Sequence, residues 1–304
     1  MSLVFVFLDG VGLGKERSEN PFAEYRFETF EKMAGGVPFT ENAKAVQNGE
    51  TFFSPIDACL GVEGLPQSGT GQVTLFSGIN AARSLGRHFG PYPHSKIKQY
   101  LEEHSIFRKF MGKQGSAYFM NAFPDIFFQY SEKRNRWSST TYMTRSAGLR
   151  LNTIAEIHRG EAITAEITQD VWRSRLSLNV PVITEEQAAS RVVNAAGKYD
   201  LVLMEYYLTD KAGHGRDKKG ARDILSKLDQ FLSHLLNLAV KNGHTILITS
   251  DHGNIEDLSI KTHTRNKVPF YVSGEGSQHF HGIRSIQDVT PMSLAWYESA
   301  LGQS

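Results

Sequence analysis

Three uninterrupted apolar runs stand out along the chain: Leu3–Leu8, Tyr199–Tyr207 and His244–Ser250. A fourth, Val268–Val272, follows them. None alternates apolar with polar, which predicts strands covered on both faces, as in a parallel sheet. Between the second and third runs, Ala221, Ile224, Leu225, Leu228, Phe231, Leu232, Leu235, Leu236 and Val240 recur at spacings of three and four. That is the period of an amphipathic helix, and Lys241-Asn242-Gly243 supplies its stop signal. Strand, long helix, strand predicts a βαβ unit with a right-handed crossover. Asp288 to Leu301 reads as a last helix capped by Asp288 or Thr290, Glu185–Ala196 as a further helix, and Ser116–Ala122 as a strand. The fold expected is α/β: a three-layer α/β/α core around a central, mainly parallel sheet.

The middle of the chain is weaker in pattern and more polar. It carries Arg87, His88, Arg134, Arg136, Arg145, Arg150, Arg173 and Arg175. These read first as a solvated surface; the sharper reading has a few of them reaching toward an anionic substrate. Residues 1–90 and 195–304 are expected to form a metal-binding catalytic core. Residues 90–195 are expected to complete that core and add a small inserted cap.

Composition narrows the classes. Of 304 residues, 40% are hydrophobic and 21% charged, as in ordinary globular chains. Lys and Arg total 33 against 32 Asp and Glu, so no global field favours nucleic acid or an anionic membrane. The single cysteine, Cys59, excludes an intramolecular disulfide and a cysteine-rich zinc module. The eleven histidines are then the main nitrogen ligands. The first apolar run is followed at once by Asp9 and has no basic stretch before it. It is too short for a signal-peptide core or a membrane span, so a cytoplasmic chain is expected.

Chemistry gathers where the apolar runs end. Asp9 follows the first run, Asp210 lies just past the second, and Asp251 ends the third. Open α/β sheets place their sites at that carboxyl edge. His214 comes four residues after Asp210, His252 adjoins Asp251, and His263 precedes the fourth run. A lone Asp-Gly or Asp-x-x-x-His is usually a turn or a surface pair, but three acids and three histidines on one rim make a ligand set for two divalent ions. Carboxylate and imidazole without thiolate suit Mn²⁺ or Zn²⁺ better than Ca²⁺. Two such ions roughly 4 Å apart clamp the oxygens of a phosphoryl group. Gly64-Leu65-Pro66-Gln67-Ser68-Gly69-Thr70-Gly71-Gln72 then reads as a loop opening a helix. Its first turn offers N–H groups to an anion, and a hydroxyl there can attack phosphorus if a metal lowers its pKa.

In this order, the residues resemble the alkaline phosphatase superfamily, and within it the branch of cofactor-independent phosphoglycerate mutases and phosphopentomutases. The resemblance is carried by Asp210-Lys211-Ala212-Gly213-His214, by Thr249-Ser250-Asp251-His252-Gly253-Asn254 and by His263-Thr264-Arg265-Asn266-Lys267-Val268-Pro269-Phe270. It extends to Leu3–Gly14 and Pro66–Gly78 and stops between about 90 and 195. It implies that Asp210, His214 and His263 hold one metal, and that Asp9, Asp251 and His252 hold the other. The family's Ser-Glu-Val-Gly-His stretch falls on Ser68-Gly69-Thr70-Gly71-Gln72. Ser68 is thereby implied as the metal-bound nucleophile, with Thr70 as the alternative and Gln72 replacing the family's histidine. The implied activity is phosphoryl transfer from a small phosphate ester through a phosphoserine. Water is the expected acceptor, because the space left for a cap is small. A phosphosugar or phosphoglycerate-type mutase is one alternative, a phosphodiesterase or nucleotide pyrophosphatase another. Sulfatases need a Cys/Ser-x-Pro-x-Arg element, which the chain lacks.

Overall fold

The computed structural model describes residues 1–302. Seven strands form one sheet: β1 (Leu3–Leu8), β2 (Val46–Asn48), β3 (Thr51–Ile56), β4 (Ala117–Phe119), β5 (Leu201–Tyr206), β6 (Thr245–Ser250) and β7 (Val268–Ser273), in the order β2-β3-β7-β6-β1-β5-β4. β6, β1, β5 and β4 pair in parallel. β7 is antiparallel to β6, and β3 is antiparallel to β7 and to β2. Five strands therefore point one way, and β2 and β7 the other. The reversal of β7 has a simple cause: the connection from Asp251 to Lys267 contains no helix, and a parallel crossover needs one.

β1 shows why its run is continuously apolar. Val4, Val6 and Leu8 enter one core with Leu225, Leu228, Phe231, Leu232 and Leu235 of the helix Lys218–Lys241. Leu3, Phe5 and Phe7 enter the other core with Val73, Leu75 and Phe76 of the helix Ser68–Ser77 and Trp296 of the helix Val289–Leu301. Both faces of the sheet are thus covered by helices, and three layers result.

The middle segment contributes to both faces. β4 extends the sheet edge beside β5, and the helix Glu185–Ala196 packs on the helix Lys218–Lys241. A smaller cluster of Ala122, Ile157, Ala162, Trp172 and Val180 forms its own core between them. Asp288 is the N-cap residue of the last helix, one of the two expected, but its side chain makes no bond into that helix. Asp288 closes a turn over Ser285–Asp288 by accepting from the Arg284 and Ser285 amides. Thr290 instead donates to the Leu75 carbonyl of the Ser68 helix. No helix among the described residues is long and apolar enough to cross a membrane.

Candidate metal centre

The parallel strands β1, β5 and β6 deliver their carboxyl ends side by side. Asp9 leaves β1, Asp251 leaves β6, and Asp210 sits in a short helix, Leu208–Gly215, just beyond β5. That helix puts Asp210 and His214 four residues apart on one face. The chain reverses after Asp9 through Gly10 at φ +71°, where a Cβ would lie 2.7 Å from Asp210 Oδ1. Only glycine lets β1 turn so close to the second acid.

Two clusters result. In the first, His214 Nε2 lies 3.4 Å from Asp210 Oδ2, His263 Nε2 lies 3.5 Å from Asp210 Oδ1, and the two Nε2 atoms are 3.1 Å apart. In the second, His252 Nε2 lies 3.4 Å from both Asp9 Oδ1 and Asp251 Oδ2. Within each triad the ligand atoms all fall within 4.8 Å of one another. The structure thus brings together all six residues singled out by sequence and sorts them into the same two threes.

The donor chemistry fits a cation at each cluster. His214 Nδ1 is 2.8 Å from the Lys261 carbonyl and His263 Nδ1 is 2.7 Å from the Pro66 carbonyl. A carbonyl only accepts, so each Nδ1 carries the proton and each Nε2 presents a lone pair. Two lone pairs and the Asp210 carboxylate then converge on one point. In the second cluster, Asp9 Oδ1 and Asp251 Oδ2 are buried without a hydrogen-bond partner, a costly arrangement unless a cation is shared. Burial, the neighbouring Asp251 and then Asp210 push the Asp9 carboxyl well above its usual range, and burial followed by Asp210 does the same to Asp251. Burial and the nearby His263 hold His252 well below the usual histidine value, and burial lowers His263.

Ser68 opens the helix Ser68–Ser77, and its Oγ lies 2.9 Å from His252 Nε2. Its hydroxyl therefore faces the Asp9–Asp251–His252 cluster. The Thr70 hydroxyl is occupied elsewhere: it donates to the Gln67 carbonyl at 3.2 Å and accepts from the Phe89 amide at 3.2 Å. Gln72, where the resembling family has histidine, is buried and donates from Nε2 to Asp9 Oδ2 at 3.2 Å.

Three supporting groups escaped the sequence reading. Glu256 is buried and ties the loops together, accepting from the Gly12 amide (2.9 Å), the Asn254 amide (2.7 Å), Asn266 Nδ2 (3.1 Å) and the Thr264 hydroxyl. Asn254 donates to Asp210 Oδ1 at 2.6 Å. Glu205, inside β5, accepts from the Thr140 hydroxyl at 2.7 Å, and burial raises its carboxyl to about 7. A carboxylate inside an otherwise apolar strand was a visible signal for Glu205. Glu256 gave none, because its partners are spread over the loop after β1 and distant stretches of the β6–β7 connection.

A family model described as Metalloenzyme superfamily matches residues 1–296. The 2,3-bisphosphoglycerate-independent phosphoglycerate mutase of Desulforudis audaxviator is 32% identical over 105 residues, 32% of this chain and 20% of that protein. The matched region is thus a minor fraction of the relative's length. Among solved structures, the PH0037 protein from Pyrococcus horikoshii superposes with a TM-score of 0.58 at 14% identity, covering 98% of this chain and 96% of that one. The alkaline phosphatase of the Antarctic bacterium TAB5 superposes with a TM-score of 0.55 at 11% identity, covering 98% and 97%. At such identities these two likenesses speak for the fold.

Proposed function

The chain belongs to the metalloenzyme superfamily, and from that premise we propose that it is a two-metal phosphoryl-transfer enzyme whose nucleophile is Ser68. One observation carries the reading: the Ser68 hydroxyl sits 2.9 Å from His252 Nε2, against a cluster whose buried carboxylate oxygens lack partners. Asp9, Asp251 and His252 would hold one divalent ion, and Asp210, His214 and His263 the other. Carboxylate and imidazole ligands without thiolate suit Mn²⁺ or Zn²⁺. Bound there, such ions act as Lewis acids toward a phosphoryl group and lower the pKa of a nearby hydroxyl.

The chain's own groups do the rest. Ser68 lies at the first position of its helix, where the Ser68 and Gly69 amides have no acceptor among the described residues. They are free to bind phosphoryl oxygens at the positive end of the helix dipole. The Ser68 Oγ, its proton given up to solvent, would form the bond to phosphorus while the ester P–O bond breaks on the opposite side, toward the Asp210 cluster. The departing alcohol oxygen would take a proton from water, and a second water would cleave the phosphoserine to phosphate and free Ser68. The Lys261 and Pro66 carbonyls fix the tautomers of His214 and His263, and Asn254 fixes Asp210, so the ligands are oriented in advance.

Water is the acceptor in this proposal. The segment between about 90 and 195 includes core pieces, namely β4 and the helix Glu185–Ala196, which leaves little chain for a cap that shuts water out. The mutase reading draws equal support from relatives named as phosphoglycerate mutases. The test is a stoichiometric one: the Mn²⁺- or Zn²⁺-loaded protein is given an aryl phosphate, and inorganic phosphate and phosphoserine at Ser68 are both measured, beside an assay of 3-phosphoglycerate isomerisation. Phosphate release supports hydrolysis, and isomerisation without release supports the mutase. Absence of both, with metal bound, overturns phosphoryl transfer.

A further inference from the structure

The near-zero charge total conceals an uneven distribution. Residues 64–150 carry twelve Lys and Arg against four Asp and Glu, a local excess of +8, while the whole chain stands at +1. The remainder is therefore at −7. Such a division within one chain is the electrostatic footprint of a surface for polyanions. The helices Ser68–Ser77, Ala81–Leu85, Lys98–His104, Ile106–Gly112 and Ser139–Ser146 of this stretch pack together and share the core of Phe5 and Phe7. The excess thus belongs to one face of the sheet.

Part of this face interleaves arginines with aromatic rings. The Arg134 guanidinium lies 5.4 Å from the Tyr130 ring centre, and the Arg136 guanidinium lies 6.0 Å from that of Tyr92. Trp137 adjoins Arg136 and carries the Arg145 guanidinium 3.8 Å from its ring centre. Two chain neighbours and three ring contacts therefore gather Arg134, Arg136 and Arg145 on one strip. All three are exposed, and none forms an ion pair or a side-chain hydrogen bond among the described residues. Tyr92 is 41% exposed and Tyr130 54%.

An exposed ring beside an unpaired guanidinium offers a stacking surface next to a charge, the pairing by which proteins hold unpaired bases and their phosphates. A lipid surface asks instead for a broad apolar face, and the helix Asp125–Arg134 exposes one aliphatic side chain, Ile126, among charged and polar ones. We propose that this strip docks single-stranded nucleic acid, with Arg134, Arg136 and Arg145 following the phosphates and Tyr92 and Tyr130 stacking on bases. The proposal concerns docking and does not depend on which phosphate ester reacts.

Fluorescence anisotropy on the Mn²⁺-loaded protein tests it. The probes are a labelled oligothymidylate and an abasic strand of the same length and charge, with gel electrophoresis showing that both stay intact. The wild type is expected to bind the oligothymidylate about tenfold more tightly than the abasic strand, because only bases stack. Raising salt from about 50 mM to about 200 mM should weaken that binding about twentyfold, as neutralisation of about three phosphates requires. Arg134→Gln/Arg136→Gln should cut the salt effect to about threefold. Tyr92→Leu/Tyr130→Leu should erase most of the advantage over the abasic strand and leave the salt effect unchanged, with circular dichroism confirming both folds. Equal binding of the two strands by the wild type, no binding of either at low salt, or variants that bind as the wild type does overturns the proposal. Capture by phosphatidylserine vesicles without binding of either strand also overturns it, and assigns the face to a lipid surface.

Discussion

The imidazole rings of His252 and His263 stack with centroids 3.8 Å apart and planes 15° apart. One ring belongs to each ligand cluster, so the two candidate metal sites share a wall. Both rings come from the single connection between β6 and β7, and Glu256 folds that connection on itself through Asn254 and Thr264. Spacing between the two candidate cation positions is therefore set by side-chain packing and a buried carboxylate.

Separate clusters predict separable metals. Asp210→Asn should empty one site and Asp251→Asn the other, each reducing metal content by about one ion per chain, because each removes the anionic ligand that its cluster shares. In the metal-free protein at pH 8, Asp251→Asn should also raise stability by about 1–3 kcal/mol, since it neutralises a buried carboxylate one of whose oxygens has no partner. Elemental analysis and denaturant unfolding check the two halves. A metal-free Asp251→Asn protein less stable than the wild type would show that the charge is already compensated.

The pH dependence has a definite sign. Asp9 and Asp251 have folded-state pKa values raised above the unfolded ones, so their contribution to stability is fully present below the ordinary carboxylate range and is lost as pH rises. His252 and His263 are depressed, so theirs is present above the ordinary histidine value and is lost as pH falls. Metal relieves the carboxylate penalty, which grows with pH. The gain in melting temperature on adding Mn²⁺ should thus be larger at pH 8 than at pH 5.5, and binding should release protons. A gain independent of pH would argue against metal at the Asp9–Asp251 pair.

Ser68 and Thr70 should separate by activity and by stability in opposite directions. Ser68→Ala loses one contact, to His252, and is expected to abolish turnover at a stability cost of about 1 kcal/mol. Thr70→Ala loses both a donated and an accepted hydrogen bond in a fully buried position. It should cost more, about 2–3 kcal/mol, while retaining measurable turnover. Phosphate-release assays and urea melts on both variants decide it, and an active Ser68→Ala would move the nucleophile elsewhere.

Much of this arrangement was legible in the residues because periodicity and strand-end chemistry are local signals. The runs at Leu3–Leu8 and His244–Ser250 read as two-sided strands, and the structure places them as β1 and β6, buried on both faces. Asp9, Asp251 and Asp210 announced themselves by ending or following such runs. The hairpin β2–β3 was not legible: its strands are short, and β3 owes its position to pairing with β7, more than 200 residues later in the chain. The direction of β7 was equally hidden, since it depends on the absence of a crossover. Glu256 stayed invisible for the same physical reason, as its role exists only once the β6–β7 connection folds on itself against the loop after β1.

The last expectation concerns Gln72. Its Nε2 donates to Asp9 Oδ2, while Asp9 Oδ1 faces His252. One oxygen is thus held by an amide so that the other points into the cluster, the arrangement by which an outer partner orients a ligand. Gln72 also offsets part of the raising that burial imposes on Asp251. Gln72→Leu keeps a similar volume but removes the donor. It should therefore weaken metal binding at the Asp9–Asp251–His252 site by about tenfold to a hundredfold and leave the Asp210 site close to wild type. Gln72→His should restore part of the loss, because an imidazole N–H can reach the same oxygen from a similar length of side chain. Competition with a coloured chelator measures both sites. Equal weakening of the two sites in Gln72→Leu would mean that the substitution merely loosened the fold, and no loss at either would mean that Asp9 orients without help.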